Sequence, residues 1–478
     1  MTRIAVVDAR VLVVRDRDAG AEPTVDDPLA LRFRRPLSEL PQAAELHDVV
    51  ELPAGELDDW SGWYADGNRR LLLTQSPEGQ LGEPMVLIGE ADRVLRAYPL
   101  GDGAFLRADG VRVSLDPGSV GAAIRIGNTP LRRDRGYEER RIELAAGGAV
   151  TLSATLIIPP GRAPHPAAVF LHGAAGGQRD FNRLLIGPVL DAGIAVLIYD
   201  KQGFGKSTGT PPPTTFDQAA AAEVALDRLA GEPGFDPDRL GIVAFSNGGW
   251  AMPMAARRRT DIAFLAGIGV PGVSMADAEV HRRTKVLRDS GLSPVTVDAA
   301  AAAWRSIFTA VGSGTADGQV IAELSDALGR LRAAEDLDRY PIPGYARQNP
   351  MLSAVPPLLP IDQLLAMLPS EPDEELTYDP VPDHAQLTCP VMLQWGEHDT
   401  SVPVAQSAER VSQARPDALL RVYPGVEHML NVAITDVEGI SPEEAMYGFH
   451  GFRFASAARV ELTDVLRQVT GQTGPVTT

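Results

Sequence analysis

Cysteine is almost missing from this chain: Cys389 stands alone among 478 residues. One thiol cannot close an intramolecular disulfide, so nothing demands an oxidising compartment. Its position, just ahead of the apolar run Pro390-Val391-Met392-Leu393-Gln394-Trp395, suits a small buried residue better than a reactive one. Long apolar runs are missing too. No stretch reaches the roughly 18 residues of a membrane helix. The start, Met1-Thr2-Arg3-Ile4-Ala5-Val6-Val7-Asp8, lacks the apolar centre of a signal peptide. A cytoplasmic protein is expected. Positive charge is in short supply: 44 Lys and Arg face 63 Asp and Glu, for a formal charge of −19. An acidic surface argues against nucleic acid and membranes as partners. Histidine is scarce, with eight in all, and no cluster of His, Cys and carboxylates has metal-ligand spacing. No metal and no other cofactor is expected. What remains is an ordinary globular balance, 44% hydrophobic and 22% charged, long enough for two or three domains.

Against this background one pentapeptide carries chemistry. Ala244-Phe245-Ser246-Asn247-Gly248 follows the apolar run Leu240-Gly241-Ile242-Val243 and precedes a helix-like segment, Gly249 to Met254. A serine between a short buried strand and a helix, with small residues two positions to either side, is the pattern of a nucleophile elbow. The turn is so sharp that large side chains at the flanking positions would collide. The first of them is Ala244, one methyl group larger than the usual glycine.

Three further pieces follow predicted strands. Ala167-Ala168-Val169-Phe170-Leu171 reads as a buried strand and runs into His172-Gly173-Ala174-Ala175-Gly176-Gly177. The spacing of that loop does not fit the dinucleotide pattern G-x-G-x-x-G. Gly396-Glu397-His398-Asp399 follows the run that ends at Trp395; Asp399 is a natural site for a carboxylate that orients an imidazole, with Glu397 as the fallback acid. Pro424-Gly425-Val426-Glu427-His428-Met429 follows Leu419 to Tyr423 and offers a histidine on a loop past the last strand. His398 is its near rival, while His47, His165, His281, His384 and His450 lie outside any such context.

With these pieces in the order Ser, Asp, His, the chain resembles the α/β-hydrolase superfamily from roughly Arg140 to Gln472. Within it the chain is similar to serine aminopeptidase-like and dienelactone-hydrolase-like esterases. The run Ser246 to Gly249 is also similar to prolyl-oligopeptidase-type peptidases, although the N-terminal region is too short for their propeller. Asp200 to Ser207 looks like the D-x-x-G-x-G-x-S turn common after the fourth strand of the superfamily. Its Gly205-Lys206-Ser207 mimics the end of a phosphate-binding loop, but the required earlier glycine is Asp200. The resemblance implies a catalytic triad of Ser246, Asp399 and His428. It also implies an oxyanion hole built from the backbone N–H groups of Ala174 and Asn247.

The fold expected is α/β: a mostly parallel sheet with helices on both faces, a helical cap and an additional N-terminal antiparallel β-domain. Residues 1–130 carry short apolar runs separated by turn signals such as Ser76-Pro77-Glu78-Gly79, Gly101-Asp102-Gly103 and Ala108-Asp109-Gly110. Trp60, Trp63 and Tyr64 are expected in the core of that domain. Arg132 to Arg135 reads as a polar linker. Residues 131–272 form the first part of the hydrolase core and 388–478 the second. Between them, residues 273–387 read as helices, Met275 to Arg288, Val297 to Ala310, Gln319 to Ala334 and Ile361 to Met367, interrupted by a proline-rich stretch from Pro341 to Pro360. An insertion at this point is where the superfamily usually carries a cap. Ser456 to Val469 is the expected last helix, followed by a Gly/Thr tail.

The activity expected is a serine hydrolase acting on a carboxylic ester, thioester or amide of a small acyl substrate, with a homodimer left open. Four alternatives use the same scaffold: an acyltransferase or cyclase, a peptidase, a C–C bond hydrolase, and a catalytically silent binding module.

Overall fold

The buried runs read from the sequence become neighbours in one sheet. A computed structural model describes residues 3–7, 10–15, 35–36, 45–52, 55–76, 85–116, 118, 120–174, 177–337, 360–366, 368–369, 371–433 and 451–472. The proline-rich stretch up to residue 359, the turn at 77–79, loop residues Ala175 and Gly176, Met367, His450 and the tail from 473 onward lie outside the described residues. The sheet contains β1 (Glu138–Ala145), β2 (Thr151–Ile158), β3 (His165–Leu171), β4 (Ala195–Tyr199), β5 (Phe235–Phe245), β6 (Ile262–Ile268), β7 (Val391–Gly396) and β8 (Leu419–Tyr423). Their spatial order is β1-β2-β4-β3-β5-β6-β7-β8. The pairs β1–β2 and β2–β4 are antiparallel. From β4 through β3, β5, β6 and β7 to β8 every pair is parallel.

Parallel strands are buried on both faces, which is why these segments read as continuous apolar runs. Along β3, Ala167, Val169 and Leu171 enter one core layer while Ala168 and Phe170 enter the other. Val169, Phe170 and Leu171 each contribute about 1.5–3 kcal/mol on burial.

The helices start where polar caps permit. Thr214 opens α1 (Thr215–Ala230) with a reciprocal capping box to Asp217. The elbow leads into α2 (Gly248–Arg257). Ser274 caps α3 (Met275–Asp289) by accepting the Asp277 N–H. Ser293 caps α4 (Pro294–Ser313), and Asp317 caps α5 (Gly318–Arg332). The start of α4 lies three residues before the expected Val297, because Ser293-Pro294 is a cap followed by a proline at N1. Helices α3 to α5 lie between β6 and β7 and share a core of their own, with the Trp304 and Phe308 rings stacked at 5.4 Å. The last helix is α6 (Ser456–Thr470).

Ahead of the central sheet, successive antiparallel strands run from Gly62–Ala65 to Thr129–Arg133. Each pairs with the next, and the last pairs back with the first through Arg132↔Ala65 and Arg133↔Tyr64. This closes a barrel, which removes exposed strand edges. Tyr64, Leu71, Leu73, Ile88, Phe105, Val113, Ile124 and Leu131 fill its interior. Residues of opposite parity, Trp63, Leu72, Leu87 and Val94, leave the barrel and join the core beside the central sheet. Trp60 and Tyr64 are thus barrel core, whereas Trp63 is interface. A separate small sheet pairs Arg3–Val7 with Arg10–Arg15 and Glu45–Asp48.

Two expected boundaries move. Arg132 and Arg133 belong to the last barrel strand rather than to a linker. The Arg133 guanidinium crosses to the first strand and donates to Ser61 O (2.7 Å), Trp60 O and Tyr64 Oη. Two strands after His428, Asn431–Ala433 and Gly451–Phe454, extend the barrel sheet instead of the central one: Gly451, Phe452 and Arg453 pair with Leu95, Val94 and Arg93. They are three and four residues long, too short to show a periodicity.

Candidate active site

The serine at the end of β5 sits in a conformation that L residues seldom adopt. Ser246 has φ of 51°, and its N–H donates to Ile268 O at the end of β6 (3.0 Å). The neighbours have to be small. A Cβ on Gly248 would lie 2.7 Å from Leu171 O. Ala244, wedged between Leu171 of β3 and Gly267 of β6, is fully buried, and its single methyl group is accommodated. The Asn247 side-chain oxygen accepts from Gln218 Nε2 of α1 (2.8 Å), which ties the elbow to the neighbouring helix.

Three side chains meet at this turn. His428 Nε2 is 2.8 Å from Ser246 Oγ, and His428 Nδ1 is 2.7 Å from Asp399 Oδ2. The other Asp399 oxygen accepts the N–H groups of Ser401 (2.8 Å) and Val402 (2.9 Å). The carboxylate is therefore fully engaged, and its side chain is 0% exposed. An ionised carboxylate on Nδ1 selects the tautomer with its proton there, leaving Nε2 as an acceptor for the serine hydroxyl. Glu397 does not take part. Its carboxylate accepts the Gly425 N–H (3.0 Å) and is half exposed, and His398 beside it is exposed as well.

Close backbone approaches hold His428 in place. Gly269 has φ of 57°, and a Cβ there would lie 2.7 Å from His428 O and 3.0 Å from its Nδ1. The His428 ring packs against Phe245, with centroids 5.1 Å apart. The turn itself is closed by Glu427 N–H to Asn431 O (2.8 Å) and by Leu430, another residue of positive φ.

The loop after β3 lies against the elbow. A Cβ on Gly173 would be 2.8 Å from the Phe245 ring and 3.4 Å from Ser246 Cβ. Ala174, the next residue, is exposed. His172 beneath it is buried and lies 3.0 Å through Nδ1 from Asn182 Nδ2. Burial, and then the positive charge of Lys201, hold its imidazole well below the usual histidine range, so it is neutral. The Asp200 turn has its own anion. One Asp200 oxygen accepts the Arg179 N–H, and the other accepts the Lys206 N–H and the Arg179 guanidinium (2.6 Å). The amide that mimics a phosphate loop is spent on that carboxylate.

Sequence reasoning passed over two residues near this centre. Lys201 lies two residues past β4, and its place in the turn that begins at Asp200 is the available signal. His281 lies on α3. Burial first, then the Arg288 charge, lower its basicity, while the Asp399 carboxylate acts in the opposite sense. Among the described residues no group of three or more His, Cys, Asp or Glu could hold a metal ion, and no helix is long and apolar enough to cross a membrane.

Comparison with known proteins identifies the family. Residues 168–437 match the alpha/beta hydrolase family, and the chain belongs to that family. No curated protein sequence matches the chain. Among solved structures it is similar to a proline iminopeptidase from Mycobacterium smegmatis, at 16% identity over 69% of this chain and 99% of that one, with a TM-score of 0.40. It is also similar to the Pyrococcus furiosus esterase Pf2001, at 16% identity over 61% and 84%, with a TM-score of 0.39. A 2,6-dihydroxy-pseudo-oxynicotine hydrolase is similar at 16% identity over 71% and 70%, with a TM-score of 0.39. Likeness at this level carries no activity over to this chain.

Proposed function

We propose that this protein is a serine hydrolase that cleaves a carboxylic ester of a small organic substrate through an acyl-enzyme on Ser246. The observation that carries this reading is the continuous chain of hydrogen bonds from Ser246 Oγ through His428 to a fully buried Asp399, built on a strained serine. His428 takes the Ser246 proton as Oγ attacks the acyl carbon. The backbone N–H groups of Ala174 and Asn247 receive the developing oxyanion. His428 then returns the proton to the departing alkoxide. In the second half a water gives its proton to His428 and attacks the acyl carbon, releasing the acid and restoring Ser246. Asp399 holds the ring and stabilises its charged form.

The helices between β6 and β7 are assigned as the cap that screens this chemistry from water. Residues 1–133 are assigned as an accessory β-domain, and the rest of the chain apart from the cap as the hydrolase body.

Labelling with a fluorophosphonate, read by intact mass, tests the proposal. One adduct on the native protein and none on Ser246→Ala is the expected result. A folded native protein that takes up no adduct would remove the hydrolase reading.

A further inference from the structure

Two residues past β4 stands a buried lysine whose two ends clamp the loop beside the nucleophile. Lys201 is only 4% exposed. Its Nζ donates to Gly173 O at 2.5 Å, in a buried contact. Its backbone N–H donates to Gly177 O at 2.7 Å. One residue therefore holds both the entry and the exit of the 173–177 loop. Its neighbour adds a third tie, because Asp200 accepts the N–H of Arg179 (2.9 Å) just beyond the loop.

The chemistry of the clamped carbonyl matters more than the clamp. Gly173 C=O and Ala174 N–H belong to a single planar peptide unit, and in a trans peptide the C=O and N–H bonds point to opposite sides. A cation that draws Gly173 O into the interior turns the Ala174 N–H to the other side, away from Lys201. Ala174 is exposed there, and the preceding Gly173 sits against Ser246. A hydrogen bond from an ammonium is charge-assisted and stronger than one between neutral groups. It polarises the amide, so the N–H at the far end becomes a better donor. Burying an ammonium costs several kcal/mol unless hydrogen bonds compensate. The buried charge lies one peptide away from the place where negative charge would develop. His172, its buried neighbour, stays neutral and does not share the role.

We propose that Lys201 is a positioning residue of the oxyanion hole: it orients and polarises the Gly173–Ala174 peptide so that the Ala174 N–H binds the tetrahedral oxyanion. The inference rests on the serine-hydrolase reading above. Lys201 touches neither substrate nor reacting atoms, and its effect passes through the peptide. It should therefore act on the transition state and leave ground-state binding nearly unchanged.

The test uses 4-nitrophenyl butyrate as the ester, with rates normalised to sites titrated by fluorophosphonate, and an alkyl trifluoromethyl ketone as the tetrahedral mimic. Lys201→Met should lower kcat by ~10-fold or more while KM changes by less than about threefold; losing an oxyanion donor outright costs ~10²–10³. The inhibition constant of the ketone should rise by the same factor as kcat/KM falls. In an Ala174→Pro background, which has no N–H at this position, Lys201→Met should add almost nothing; a purely structural lysine would cost as much in either background. If Lys201→Met does not fold, Lys201→Arg and Lys201→Gln are compared, and the charged variant should turn over at least about tenfold faster. Folded Lys201→Met with kcat and ketone affinity within about twofold of the native protein overturns the proposal, as do equal rates for the Arg and Gln variants. Failure of the native protein to label at Ser246 would instead overturn the hydrolase reading, so the two failures are separable.

Discussion

The carboxylate of Glu375 caps a helix 160 residues away in the chain: it accepts both the N–H and the hydroxyl of Thr215, each at 2.6 Å. Thr215 is the first residue of α1, where an anion meets the positive end of the helix dipole. Glu375 lies on a short helix, Glu374–Thr377, late in the long segment between β6 and β7, so the contact ties the far end of that segment to α1. Glu375→Ala should cost about 1–2 kcal/mol, as for other helix caps and charged hydrogen bonds. A urea titration reads this loss. Hydrogen exchange should speed up at the first turn of α1, and unchanged exchange there would mean that the contact is not maintained in solution.

Asp399 and Glu397 make a sharper pair of variants. Asp399→Asn keeps the shape but favours the wrong tautomer of His428, and kcat should fall by ~10⁴. Glu397→Gln should change kcat by less than about threefold, because its carboxylate holds Gly425 rather than His428. Steady-state kinetics on one ester decide it. A reversed order would make Glu397 the orienting acid.

Gly396 tests how closely the acid strand and the histidine turn must approach. A Cβ there would lie 2.1 Å from Val426 O and 2.4 Å from Glu427 O, both backbone atoms. Gly396→Ala must push the His428 turn away from β7. The expected destabilisation is about 1–3 kcal/mol. Displacing the imidazole should lower kcat by a further ~10²-fold in the protein that remains folded. A thermal melt together with active-site titration separates the two effects.

The acid side of the stability profile should belong largely to buried histidines. His384 is 0% exposed, and neither ring nitrogen has a hydrogen-bond partner among the described residues. Burial, then the nearby Arg415 guanidinium, pull its pKa down to about 4, with Asp379 opposing weakly. The unfolded chain protonates this ring near pH 6.5 and the folded chain only near pH 4. Between those values the unfolded state binds more protons. Stability is therefore complete above about pH 6.5 and falls toward pH 4, by an amount on the order of 3 kcal/mol. His172 acts in the same direction. His384→Leu forfeits no side-chain hydrogen bond and should flatten that fall, as read from melting temperature against pH. An unchanged slope would place the acid sensitivity elsewhere.

What could be read in the sequence were features whose physical cause is local. The Ala244-to-Gly248 elbow shows in the chain because a turn that sharp leaves no room for larger side chains within two residues. Strands β3, β4, β6 and β7 and the second half of β5 show because burial on both faces makes their apolar runs continuous. Helices α3 and α5 show because their caps and periodic faces lie within one segment. The order of Ser246, Asp399 and His428 shows because each ends a loop after such a strand. The tertiary structure alone decided the pairings between segments far apart in the chain. The barrel closes through Arg133 and Tyr64, 69 residues apart. The short strand Gly451–Phe454 leaves the hydrolase body and pairs with Val94 and its neighbours. Lys201 reaches across to Gly173, and Glu375 to Thr215. A hydrogen bond of that kind imposes no spacing on the residues around either partner, so it leaves no period or composition in the sequence and exists only once the chain has folded.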